Sequence, residues 1–243
     1  MTPWLLLYPA AGFAAGFLSL AVFNRVPARW LCDYGETPSP ELLGQRLSPA
    51  PDGVALGFVF SAGFLLLGFQ YHAPNAAFFL LCAALLPLMF AAVSDLKYHI
   101  IPDQCLPAAL LPAAVLYVLT LCGRADFYSS AFSPFLGALI GGGLWLLIGL
   151  IGKLIYRRES IGFGDVKIFA VIGFLCGFPN VLAVFLIGIL LAGVHFIVLM
   201  LMHKIKPDQY MPMGPYLCAA CLLELAFQSQ IAAGIQWYIS RLH

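Results

Sequence analysis

The 243-residue chain is 62% hydrophobic and only 9% charged, with a mean hydropathy of +0.95 and a formal net charge of +1. A soluble domain carries roughly 25% charged residues, so this composition excludes an ordinary soluble globular protein and reads as an integral membrane protein. The near-neutral balance offers no basic surface for nucleic acid.

Eight apolar segments follow in chain order, at about 4–23, 54–72, 76–94, 104–122, 134–152, 166–179, 181–202 and 212–228. All but the short sixth approach the roughly 20 residues a helix needs to cross a bilayer. Pro9, Gly12, Gly16, Pro87, Pro107, Pro112 and Gly141 to Gly143 fall inside them, as suits helices packed closely in lipid. The expected fold is therefore an all-α membrane protein, a polytopic bundle of about eight transmembrane helices. A β-barrel would need short segments of alternating polarity, and none is present. Cys82, Cys122, Cys176, Cys218 and Cys221 lie in or beside apolar runs and read as small buried hydrophobes. The stretch Asn24 to Gly53, rich in Pro and Gly, reads as one polar loop.

No Lys or Arg precedes the first run, and its basic residues follow it, so it reads as a retained helix entering from outside. With the loops alternating sides from there, Arg25, Arg29, Arg46, Lys97, Lys153, Arg157, Arg158, Lys167, Lys204 and Lys206 face the cytoplasm, leaving Arg124 and Arg241 outside. This asymmetry follows the positive-inside rule. The same count brings two aspartates to the cytoplasmic face: Asp95 in SDLKYHIIPD and Asp165 in SIGFGDVK. Carboxylates at the edge of a span are costly and mark a site.

Two carboxyls within about 3 Å share one proton. The ionised member then activates water, while the protonated one polarises an amide carbonyl and later protonates the leaving amine. Asp165 begins an apolar run, where a helix dipole favours the anion, and Asp95 ends one, where the dipole opposes it; the proton is assigned to Asp95. Gly162 and Gly164 are expected to admit a peptide closely and to take positive φ. Pro102 fits the first turn of the following helix, with Asp103 a favourable charge just after it. Lys97 and Lys167, each two residues past an aspartate, point away from it and either reach lipid phosphates or position a neighbouring loop.

At these residues the chain resembles the prepilin leader peptidases, or type IV prepilin peptidases, a family of membrane-embedded aspartic proteases. The family's D-x6-P arrangement is seen at Asp95 to Pro102, followed by Asp103, and its G-x-G-D motif at Gly162-Phe163-Gly164-Asp165, followed by Val166-Lys167. Its Phe-Gly-Pro signature is seen as Met213-Gly214-Pro215, and its Arg-x-Pro as Arg25-Val26-Pro27. The resemblance implies a single membrane-embedded peptidase domain over 1–243, multi-pass in the bacterial inner membrane, with Asp95 and Asp165 catalytic at the cytoplasmic face. Gly162, Gly164, Lys167, Pro102, Asp103 and Lys97 would be its supporting motif residues. It also implies prepilin or pseudopilin substrates of type IV pili or type II secretion, cut after a glycine between a basic leader and an apolar helix, beside membrane lipid. Proteolysis would need no cofactor and no metal.

Two departures stand out. The family members that are also N-methyltransferases often carry two Cys-x2-Cys pairs in the first cytoplasmic loop, a metal-ligand spacing, whereas the loop at about 24–53 has only Cys32. Leu20 also stands where the family usually has Asn. S-adenosylmethionine therefore enters only if the methyltransferase activity is retained without that zinc module.

Plainer readings compete at single residues. Asp165 alone would be an N-cap, and Asp33, Glu36, Glu41 and Glu159 a solvated surface rather than a docking field for a basic leader. His99, four residues after Asp95, would join a metal site with Asp165 only if helix continued through it. Within the spans, His195 reads as a packing hydrogen-bonder and Glu224 as a carboxylate near the outer end that reaches water. A small ion-coupled transporter using intramembrane carboxylates is the alternative from another class, and such folds place their sites at the midplane between repeats.

Overall fold

The computed structural model describes residues 4–32, 37–38, 40–44, 46–71, 75–156, 162–204 and 211–242. Asp33, Glu36, Arg157, Arg158, Glu159 and Lys206 lie outside the described residues, as does the side chain of Glu41. The described residues are helical and contain no strand. Eight long helices follow one another: α1 Trp4–Arg25, α2 Val54–Tyr71, α3 Ala76–Tyr98, α4 Cys105–Leu121, α5 Ser133–Tyr156, α6 Phe163–Cys176, α7 Asn180–Leu201 and α8 Gly214–Leu242. Each expected apolar segment is found as one of them. Six are long and apolar enough to cross a membrane, and the chain is a multi-pass membrane protein. The other two are shorter: α4 has 17 residues and α6 has 14, so α6 is roughly 21 Å long at 1.5 Å per residue. The last helix outruns its expected end, continuing past a bend at Phe227 (φ −122°, ψ 22°) to Leu242. Its apolar run stops near 228, but nothing in the following sequence breaks a helix.

The chain divides into two compact units, Met1–Phe127 and Tyr128–His243. In the first, α1 lies against α2 with their backbones in contact. A Cβ built on Gly16 would stand 2.7 Å from the Gly57 Cα, so Gly16 requires glycine, and one on Gly57 would meet the Phe13 ring at 2.7 Å. Tyr8 and Phe78 stack obliquely, with ring centroids 4.7 Å apart. The segment after α1 is held by Arg46, which is 6% exposed. Its guanidinium donates to the carbonyls of Phe23 (2.9 Å), Val26 (2.7 Å) and Leu42 (2.9 Å). These include carbonyls that α1 leaves unpaired at its C-terminus, where a cation is also favoured by the dipole. Asn24 completes the clasp, accepting from the amides of Arg46 (3.1 Å) and Leu47 (2.9 Å) and donating to Leu47 O (2.9 Å). Beneath it Leu20, Phe23, Leu31, Leu42 and Leu47 form a small apolar cluster. The loop thus has its own core.

In the second unit α5 and α6 touch at Gly137 and Gly173; a Cβ on either would lie within about 2.2 Å of the other's carbonyl oxygen. Further along, Trp145 packs edge-on against Phe169 and Phe185, each at 5.7 Å between centroids. At the far end of α6, Gly177 takes φ +72° and its amide bonds Gly173 O at 2.8 Å. Tyr128 Oη donates to Phe174 O (3.2 Å) and Leu175 O (3.1 Å), satisfying carbonyls that the helix end would otherwise leave open.

Two outcomes test these contacts. Gly173→Leu must force α5 and α6 apart, and the overpacking costs about 1–3 kcal/mol, read as a lower thermal midpoint in detergent. Arg46→Met strands buried carbonyls at a cost of about 2–3 kcal/mol, and limited proteolysis should cut within residues 26–53 before any helix.

Candidate active site

Asp95 sits in the last turn of α3 and is 2% exposed. The helix stops because His99 adopts a left-handed conformation (φ 55°, ψ 32°) and its amide closes onto Asp95 O at 2.9 Å, a common helix-ending geometry. His99 has therefore left the helix, which removes the shared face that a metal-ligand reading of Asp95 and His99 needs. Lys97 Nζ donates to the carbonyl of Arg46, tying the end of α3 to the buried clasp. Of the two roles foreseen for Lys97, positioning a loop is the one with a visible contact.

The expectation for Pro102 is corrected. Helix α4 begins at Cys105, so Pro102 and Asp103 lie in the turn before it. Pro102 O accepts from the Cys105 amide (3.0 Å) and Asp103 O from the Leu106 amide (3.2 Å). Here proline shapes the approach to the helix and its carbonyl closes the entering turn.

Asp165 lies in the first turn of α6 and is 3% exposed. The N-cap is Gly162, in extended conformation (φ −67°, ψ 139°), and the Asp165 amide donates to Gly162 O at 3.1 Å. Asp165 is thus the third helical residue and not the cap. Neither Gly162 nor Gly164 takes positive φ; the first is extended and the second already helical. Lys167 Nζ stands 5.1 Å from the centre of the Phe163 ring, one turn back, a cation–π pair at i, i+4. Below, Ile168, Phe169, Ile172 and Leu175 are fully buried and hold the helix that presents the carboxyl. Asp95, Lys97, Pro102 and Asp103 belong to the first unit, and Gly162, Gly164, Asp165 and Lys167 to the second.

Burying a carboxyl is costly unless something compensates, and two such groups at helix ends are candidates for acid–base work. Sequence reasoning missed Ser94, wholly buried beside Asp95, whose hydroxyl has no hydrogen-bond partner among the described residues. It also missed Asn24 and Arg46, since nothing in a polar loop marks an arginine for burial. Glu224 does not reach water: it is 1% exposed and lies on the α8 face formed with Leu217, Cys221 and Leu225. His195 does bond a neighbouring helix, through Nδ1 and Tyr216 Oη. In the first loop Cys32 Sγ donates to Arg29 O at 3.6 Å, and the described residues contain no cluster of three metal-ligating side chains. They do not fit a zinc site.

The type IV leader peptidase family model matches residues 80–197, from α3 into α7, with Asp95 and Asp165 both inside. Residues 80–197 belong to the type IV leader peptidase family. Curated relatives agree with this. A prepilin leader peptidase/N-methyltransferase of Bacillus subtilis is 26% identical over 152 residues, 63% of this chain and 56% of the relative. One of Aeromonas salmonicida is 30% identical over 164 residues, 67% and 53% respectively. One of Pseudomonas aeruginosa is 24% identical over 179 residues, 73% and 58%. The chain thus spans about half the length of the curated relatives it matches. No solved structure matches it.

In this leader peptidase region, the Lys97 bond predicts that Lys97→Met will speed hydrogen exchange at the Leu47 and Gly53 amides. Exchange in the middle of α3 should stay unchanged.

Proposed function

We propose that the chain is an aspartic endopeptidase of the bacterial inner membrane that removes the basic leader from prepilin or pseudopilin-like proteins at the cytoplasmic face. The observation that carries this reading is the pair of buried carboxyls, Asp95 and Asp165, 2% and 3% exposed, each at a helix end inside the family-matched region. Catalysis requires the two to approach one another over the substrate's scissile amide. Asp165, near the positive end of α6, is the anion that takes a proton from water; Asp95, near the negative end of α3, carries the proton that polarises the carbonyl. Water oxygen bonds to the carbonyl carbon, the tetrahedral species collapses, and the C–N bond breaks as the amine receives a proton from the dyad. Neither metal nor covalent enzyme intermediate takes part.

The orientation rests on the sequence alone, where loops alternating sides would put most basic residues and both aspartates at the cytoplasmic face. A substrate with an apolar helix can then lie in lipid while its leader junction reaches the interface. Substrates of type IV pilus and type II secretion systems have this form by the family resemblance. The methyltransferase named in the relatives is no part of the proposed reaction, since the loop at about 24–53 has a single cysteine, Cys32, and no Cys-x2-Cys pair.

Co-expression with a candidate prepilin, followed by mass spectrometry of its amino terminus, tests the proposal and reports any methylation as well. Asp95→Asn and Asp165→Asn should each lower cleavage by roughly 10²–10⁴-fold, with membrane insertion unchanged by protease protection. Full processing by both variants sinks the assignment. Ion flux by the native chain that the aspartate variants lose, with no substrate cleaved, would favour the ion-coupled transporter.

A further inference from the structure

Within the first unit lies a groove that the proposed chemistry does not use. It is a cavity of about 250 Å³ between the C-terminal end of α1, the middle of α3 and the N-terminal end of α4. Leu18 and Val22 of α1, Leu86 and Phe90 of α3, and Ala108 of α4 form its apolar walls. Where α1 gives way to the loop, the lining passes to Val26 and Trp30. Each of these is preceded in the chain by an exposed arginine, Arg25 and Arg29. Among the described residues neither guanidinium makes a hydrogen bond or ion pair, in contrast to Arg46 and Lys97, which are occupied by backbone carbonyls.

Lining and charge together select the occupant. The open, almost wholly apolar groove suits a flexible hydrocarbon chain. Two exposed arginines, each next in sequence to a lining residue, suit the phosphate of a lipid at the membrane interface. We propose that this groove holds an acyl chain of an anionic phospholipid, with its headgroup phosphate bound by Arg25 and Arg29. The occupied groove would wedge α1, α3 and α4 along α3 up to Phe90, five residues before Asp95.

The test uses the full chain in vesicles of phosphatidylglycerol and phosphatidylcholine in equal parts, released for native mass spectrometry. The native chain should retain phosphatidylglycerol in preference. Arg25→Gln and Arg29→Gln together should reduce that preference by about fivefold for each arginine removed, while Ala108→Trp, which fills the slot, should abolish retention. Equal retention of the two lipids by the native chain overturns the proposal, as does an unchanged preference in the double arginine variant. If Ala108→Trp fails to fold, the arginine pair decides alone, since both side chains are exposed. Crosslinking of a prepilin-like peptide from a photoreactive group at position 86, with displacement of the lipid, overturns it as well. Lipid retention is read without cleavage, so its failure leaves the peptidase reading untouched.

Discussion

Lipid tails are as apolar as leucine, so two membrane helices gain little by hiding side chains from solvent and must be held by close packing. Here that constraint is met at glycines. Gly16 lies against Gly57 and Gly137 against Gly173, with backbones so near that no Cβ fits. The α1–α2 and α5–α6 pairs are consequently rigid, and each underlies one aspartate-bearing unit. In the second, Gly173 lies two turns along the same helix from Asp165, so the contact fixing α5 to α6 also fixes the carboxyl. A short, tightly seated α6 is well suited to hold a charge that the surroundings disfavour.

In the first unit the corresponding anchor is polar. Arg46 is buried at the end of α1, satisfying carbonyls on both sides of the loop, and Lys97 joins its carbonyl to the end of α3. A buried guanidinium with no carboxylate partner among the described residues is tolerable here because backbone oxygens and the helix dipole surround it. The small cluster under Phe23 closes the arrangement, and Tyr98 lies parallel to the Phe23 ring at 6.3 Å. The loop is thereby ordered by packing and hydrogen bonds. Its only cysteine is engaged with the backbone.

The two acids sit in opposed fields: Asp165 near the positive end of a helix and Asp95 near the negative end of another. Such opposition separates acid from base when two carboxyls are brought to one substrate. The neighbouring lysines are turned to other tasks, one on a carbonyl and the other over an aromatic ring.

The sequence by itself determined the helices, because in a bilayer every backbone group must bond within its own segment and an apolar run therefore reads directly as a helix. Eight runs matched eight helices for that reason, and Asp95 and Asp165 were legible as costly charges at their edges. Boundaries set by backbone geometry were not legible: His99 ending α3 in a left-handed turn, α4 waiting until Cys105, and Gly162 capping α6 so that Asp165 falls inside it. Nor could a polar loop announce that Arg46 would be buried, or an apolar run that Glu224 would be, since burial is decided by which neighbour arrives. Tertiary structure alone decided these, because contacts between residues far apart in the chain leave no period in the sequence to read.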